Sequence, residues 1–130
     1  MSLPHSQITY TLPGMPKPMR EPTFWILTAL VDQPRHGYAV MKQVTALSGG
    51  EMTLLAATLY AALERLATEG LVEVDHEEVV DGRPRRYYRL TTEGGAALTA
   101  ETERLRRNVR AASRLLGAVR PGVGPAVTFG

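Results

Sequence analysis

Apolar residues recur at helical spacing in four stretches of the chain and at alternate positions in one. In the first, from Pro22 to about Asp32, Phe24, Leu27, Leu30 and Val31 form a stripe with Trp25 and Ile26 beside it. Pro22 suits the first position of a helix and Pro34 ends it. In the second, Val40, Val44 and Leu47 recur between Gly37 and Ser48, and Gly49-Gly50 stops the run. In the third, Leu59, Leu63 and Leu66 mark the buried face of a helix from about Leu55 to Glu69, with Gly70 as its stop. Two consecutive amphipathic helices with a short connection predict a helix-turn-helix.

The alternating stretch is Leu71 to Val80, followed by the turn pair Asp81-Gly82 and the basic, aromatic run RPRRYYRL, which ends before Thr91, a helix N-cap residue type. Strand, tight turn and strand predict a β-hairpin with a cationic tip. One register sets Val72 opposite Leu90 and Val74 opposite Tyr88 on the inner face, and Glu73 opposite Arg89 and Glu77 opposite Arg85 on the outer face. A slip of one residue loses these matches. That register needs an odd-length loop around Asp81, longer than two residues. It partly neutralises Arg85 and Arg89 and leaves Arg83 and Arg86 as the cations offered to a partner. A hairpin of this kind behind a helix pair is the wing of a winged helix-turn-helix, which touches nucleic-acid backbone.

In the fourth helical stretch, Thr92 to about Val119, the residues Leu98, Thr102, Leu105, Val109, Ala112, Leu116 and Val119 step by four and three, a heptad seam. Arg104, Arg107, Arg110 and Arg114 take the other face. A helix of this length is about 40 Å long, more than a small domain covers. The seam packs against a second copy, giving a homodimer, or the helix folds back on its own domain. The expected fold is mainly α with a β-hairpin: a winged helix-turn-helix DNA-binding domain at 21–91 and a dimerisation helix at 92–119. Pro4, Pro13, Pro16, Pro18 and Gly14 oppose helix, so 1–20 is read as an arm that either follows a DNA groove or has no fixed structure. Residues 120–130 are read as a tail.

Composition narrows the class. The 130 residues, 44% hydrophobic, suffice for one packed domain, and the absence of cysteine excludes disulfides and thiolate metal sites. No apolar run approaches the roughly 20 residues that cross a bilayer, and the start lacks signal-peptide character. The expectation is a soluble, cytoplasmic protein with no membrane partner. The net charge of +2 is uneven. Residues 21–82 carry three cations against ten acids, or −7, whereas 83–130 carry ten arginines against three acids, or +7. The basic half fits a phosphate-facing surface, or the two halves neutralise each other within one domain. His5, His36 and His76 lack metal-site spacing, and no carboxylate joins a nucleophile pattern or phosphate loop. No metal, cofactor or catalytic function is expected.

Three segments then carry a resemblance: PRHGYAVMKQV at 34–44, TLYAALERLATEGLVE at 58–73 and GRPRRYYRLTTEG at 82–94. Together they resemble the PadR family of bacterial winged-helix transcriptional regulators over roughly residues 22–117, in the form with a single C-terminal dimerisation helix. One departure stands out. Where the family often has Ser-Pro-Gly, this chain has Leu55, Ala56 and Ala57, so the serine cap is lost and Thr53 becomes an alternative cap for an earlier helix start.

In helix-turn-helix proteins the N-terminal part of the second helix meets base edges. Here that surface holds Ala57, Thr58, Ala61 and Arg65, with Tyr60 beside them. The resemblance implies that Tyr60 contacts DNA backbone; otherwise it is a half-buried tyrosine with a wet hydroxyl. Arg65 reaches DNA or pairs with Glu69. In the HGY run, His36 is given a structural role. The resemblance also implies an effector site near the dimer interface, for which Phe24 and Trp25 are the candidates, with core packing as the alternative for Trp25. The expected function is a ligand-responsive repressor, binding double-stranded DNA as a homodimer at an inverted repeat and released by a small aromatic effector. The alternative is a winged-helix protein-interaction module without specific DNA binding.

Overall fold

The computed structural model describes residues 18–119; the remainder of the expected arm and tail lies outside the described residues. The elements follow in the order α1 (Glu21–Ala29), β1 (Arg35–His36), α2 (Gly37–Leu47), α3 (Ala56–Thr68), β2 (Val72–Val80), β3 (Arg83–Leu90) and α4 (Thr92–Gly117). The strands form one antiparallel sheet in the order β1-β3-β2.

The core collects the apolar faces of every helix. Ile26, Leu27, Val40, Val44, Leu59, Leu63 and Leu66 have no exposed surface, and Val72, Tyr88 and Leu98 close the cluster from the sheet and α4. Each such aliphatic side chain contributes about 1.5–3 kcal/mol by leaving water. This packing, rather than helix propensity, holds the three short helices, since isolated helices of this length are marginal in water. In α1 the buried positions are Thr23, Ile26, Leu27 and Ala29, whereas Phe24 and Trp25 pack at the edge and Val31, beyond the helix, is exposed.

α1 ends at Ala29, earlier than the expected Asp32. The Leu30 N–H turns back to the Leu27 carbonyl. Arg35 Nη1 donates to the Ala29 carbonyl at 2.6 Å and pairs with Asp32 at 2.7 Å. A side chain six residues on thus satisfies a helix-end carbonyl that would otherwise continue the helix. Arg35 and His36 then pair with Tyr88 and Tyr87 as β1, a strand with no counterpart in the sequence pattern. The His36 ring accepts from the Ala39 N–H at 3.3 Å and caps α2, in keeping with a structural role.

The hairpin differs from the expected register in one place. Val72↔Leu90, Glu73↔Arg89 and Val74↔Tyr88 pair as expected. A bulge between Val74 and His76 then shifts the phase, giving His76↔Tyr87, Glu77↔Arg86, Glu78↔Arg85 and Val80↔Arg83. The extra residue absorbs the odd count that the loop was expected to carry. The turn is therefore the two-residue Asp81-Gly82, with φ of 53° and 75°, as a tight hairpin of primed type requires.

Thr91 fastens α4 to the wing. Its hydroxyl accepts from the Gly94 N–H at 2.9 Å and donates to the Gly70 carbonyl at 2.6 Å. Gly94 packs so closely on the Leu71 carbonyl that a β-carbon there would overlap it. Leu98 and Glu101 are buried against the domain, Thr102 and Leu105 half-buried, and every described residue from Arg106 onward is exposed. About 18 Å of α4 (Arg106 to Gly117) therefore projects past its own domain.

Candidate nucleic-acid interface

The N-terminus of α2, Tyr60 of α3 and the wing enclose an open groove of about 800 Å³, lined by Gly37, Tyr38, Arg83, Arg85 and Arg86 among others. Gly37 makes its inner wall possible. The Tyr60 ring lies where a β-carbon at position 37 would be, so only glycine allows this approach. Tyr60 keeps about half its surface exposed and Tyr38 more, with the Lys42 ammonium 5.6 Å from the Tyr38 ring centre.

The bulge decides which wing arginines are available. Arg89 pairs with Glu73 at 2.6 Å, as the expected register required, and also lies 3.4 Å from Asp75. Glu77, however, holds Arg86 at 2.9 Å, not Arg85. The Glu77 hydrogen bond and charge raise the Arg86 pKa above its ordinary value. This corrects the expected pairing: Glu77 meets Arg86 in an exposed ion pair, whereas Arg83 and Arg85 make no ion pair among the described residues. Arg86 still lines the groove. Arg85 also acts on His36: burial first, and the Arg85 charge second, lower the His36 pKa, against an opposing effect of Glu78. Tyr87 is gripped on two sides, edge-on to His36 at 5.2 Å and stacked on His76 at 4.3 Å.

On α3 the structure brings the expected surface together. Ala57, Thr58, Tyr60, Ala61 and Arg65 are all exposed, opposite the buried Leu59, Leu63 and Leu66. Arg65 is engaged within the subunit, donating to Thr23 Oγ1 at 3.2 Å and lying 3.7 Å from Glu69. The helix does not start earlier at Thr53. Its N-cap is Leu55, whose side chain makes no capping bond and is 74% exposed. Leucine there forgoes about 1 kcal/mol relative to a serine cap.

The heptad seam divides. Leu98 belongs to the core of its own domain, Thr102 and Leu105 are half-buried, and Leu105 lines a groove with Phe24 and Trp25 of α1. Val109, Ala112 and Leu116 are exposed on the projecting part. Arg104 is drawn into the α1–α4 contact, where its Nε donates to Glu101 at 3.0 Å. Glu101 also accepts from the Met19 N–H at 3.3 Å. The Arg104 hydrogen bond holds the Glu101 carboxyl below the usual carboxylate range despite its burial. Phe24 and Trp25, in edge contact at 5.2 Å, line a groove of about 280 Å³ here with Met19, Glu101 and Leu105. Trp25 Nε1 donates to Glu21 at 3.2 Å.

Two of these residues were not among the sequence candidates: Arg85, assigned to Glu77 by the expected register, and Tyr38. The signal for Tyr38 was its place beside Gly37 at a helix start. Arg85 gave none, because the bulge changed its partner without changing any apolar position.

A helix pair whose second helix presents its first turns to solvent, a hairpin wing beside it and a long projecting helix define a winged helix-turn-helix protein. Residues 26–100 match the Transcriptional regulator PadR-like family, and the chain belongs to it. A transcriptional regulator of Mycobacterium tuberculosis is 45% identical over 71 residues, spanning 55% of this chain and 52% of that protein. A PadR family transcription regulator from Clostridium difficile has a TM-score of 0.61 at 25% identity, over 72% of this chain and 96% of that one. Bacillus subtilis PadR, solved in complex with operator DNA, shares the fold with a TM-score of 0.56 at 21% identity, over 62% of this chain and 46% of that one. These relatives are regulators, not enzymes. No helix among the described residues is long and apolar enough to cross a membrane.

Proposed function

We propose that this PadR-like regulator is a repressor that binds an inverted-repeat DNA operator as a homodimer. The observation that carries the reading is the groove between α2, α3 and the wing, with Arg83 and Arg85 on one wall and Tyr38 and Tyr60 on the other. The exposed turns of α3 would enter the major groove, and the wing arginines would lie on adjacent phosphates. The projecting part of α4, with Val109, Ala112 and Leu116 uncovered, supports pairing of two subunits. Two such heads would sit one helical turn of DNA apart, about 34–36 Å. The groove at Phe24 and Trp25 is the proposed effector site. It lies between the DNA-binding domain and the base of α4, so a small aromatic molecule there would change the angle between heads and release DNA.

The test is selection of bound DNA from a random pool with the full chain. Enrichment of a two-fold symmetric sequence is expected. Binding without any enriched sequence would refute specific recognition, and retention on protein partners but not DNA would favour an interaction module.

A further inference from the structure

The recognition surface of α3 lacks the side chains that ordinarily distinguish bases by hydrogen bonds. From Leu55 to Ala62 the helix start carries no arginine, lysine, asparagine or glutamine, which make the bidentate contacts to guanine and adenine. Its first charged residue is Glu64, and Arg65 is engaged by Thr23 and Glu69. Thr58 and Tyr60 offer single hydroxyls. What the exposed surface does present is apolar: Leu55, Ala57 and Ala61. Leu55 stands at the tip, 74% exposed, in the one position where a polar residue would have stabilised the helix. A large apolar side chain that forgoes a cap and stands mostly in solvent is free to meet a partner outside its own domain. The wing arginines, which share a groove with Tyr60 of the same helix, point to an anionic partner. Of the groups on the major-groove edge of DNA, one is apolar, the C5-methyl of thymine.

We infer that Leu55, Ala57 and Ala61 determine specificity by packing on thymine methyl groups, so that each half-site is read at thymines by contact. This rests on the proposal that α3 enters the major groove. Small alanines let the helix axis approach the base edges, and Leu55 reaches further from the helix end. Such a reader tells thymine from cytosine by its methyl, with no hydrogen bond of its own.

The experiment takes the sites enriched from the random pool and replaces each thymine in turn by deoxyuridine, which removes only the methyl. At one or more thymines in each half-site, affinity should fall about fourfold, the value of one buried methyl-sized group. The salt dependence should stay unchanged, because no phosphate contact is lost. In Leu55→Ser the new hydroxyl caps α3, so the fold is kept, and at least one position should no longer distinguish thymine from uracil. Enriched sites that tolerate deoxyuridine everywhere overturn the inference and leave DNA recognition standing. A Leu55→Ser protein that retains every distinction overturns the assignment to Leu55. Failure of any sequence to enrich refutes specific DNA recognition itself and this inference with it.

Discussion

Removing Arg83 and Arg85 should act very differently from removing Arg86 together with its partner. Arg83 and Arg85 make no ion pair within the described hairpin, whereas Arg86 lies 2.9 Å from Glu77. If each of the first two meets a phosphate in both subunits of a dimer, four phosphate contacts disappear in Arg83→Ala/Arg85→Ala. Each contributes about 0.9 to the slope of log affinity against log salt. The slope should therefore flatten by about 3–4. Over a rise from about 50 to 200 mM salt, the native protein should lose about 150-fold more affinity than the variant, following the same proportionality. In Glu77→Ala/Arg86→Ala one positive and one negative charge leave together, and the slope should move by less than about 1. Fluorescence anisotropy with one labelled duplex at four salt concentrations measures all three proteins. Circular dichroism confirms that the hairpin changes leave the helices intact. Equal flattening in the two double variants would refute the reasoning, because it would mean that the Glu77–Arg86 pair opens on DNA and that the bulge does not decide which arginines bind.

Other consequences can be measured without DNA. Gly94→Ala would drive a methyl into the Leu71 carbonyl and to 2.9 Å from Leu90 Cδ1. It should cost about 2–3 kcal/mol and lower the melting temperature by roughly 10 °C or more. Val109→Asp/Leu116→Asp alters residues exposed within the subunit, so helicity should persist while sedimentation shifts to monomer; an unchanged dimer would place the interface elsewhere. The lowered His36 pKa means that the folded state favours the neutral ring. Its contribution is complete above the unfolded value of about 6.5 and is lost as pH falls through the lower folded value. Melting temperatures should therefore drop from about pH 7.5 to 5.5, and drop less in His36→Asn, which keeps a capping oxygen. The Asp32 and Glu101 carboxyls, both held below their usual range, weaken the fold only at more acid pH.

What the pattern of side chains revealed depended on whether burial marked it. Leu59, Leu63 and Leu66 at helical spacing located α3 to within a residue, and Thr91 announced the cap of α4. The register near α4 was legible because Val72 and Tyr88 are core residues that a slip would expel. From Glu73 to Val79 the strand β2 is exposed on both faces, so no buried residue of its own recorded the phase and the bulge was invisible. That one omission assigned Glu77 the wrong arginine and left Arg85 off the candidate list. β1 escaped notice because two residues carry no period. The seam of α4 was read as one surface, although Leu98 serves the core, because spacing alone does not tell which partner a face meets.

The wing's strands consign charge to opposite sides. β2 holds Glu73, Asp75, Glu77 and Glu78, and β3 holds Arg83, Arg85, Arg86 and Arg89. Seen from several Debye lengths away the two rows cancel, and what remains is a dipole whose field decays faster than that of a cationic patch. Such a hairpin does little to draw DNA in from solution. On the proposed reading its arginines would act only once the strands lie against the phosphates, where the nearer row dominates. If the wing meets DNA as proposed, changes that keep its charge balanced, such as Glu77→Ala/Arg86→Ala, should appear in the dissociation rate while the association rate stays nearly constant.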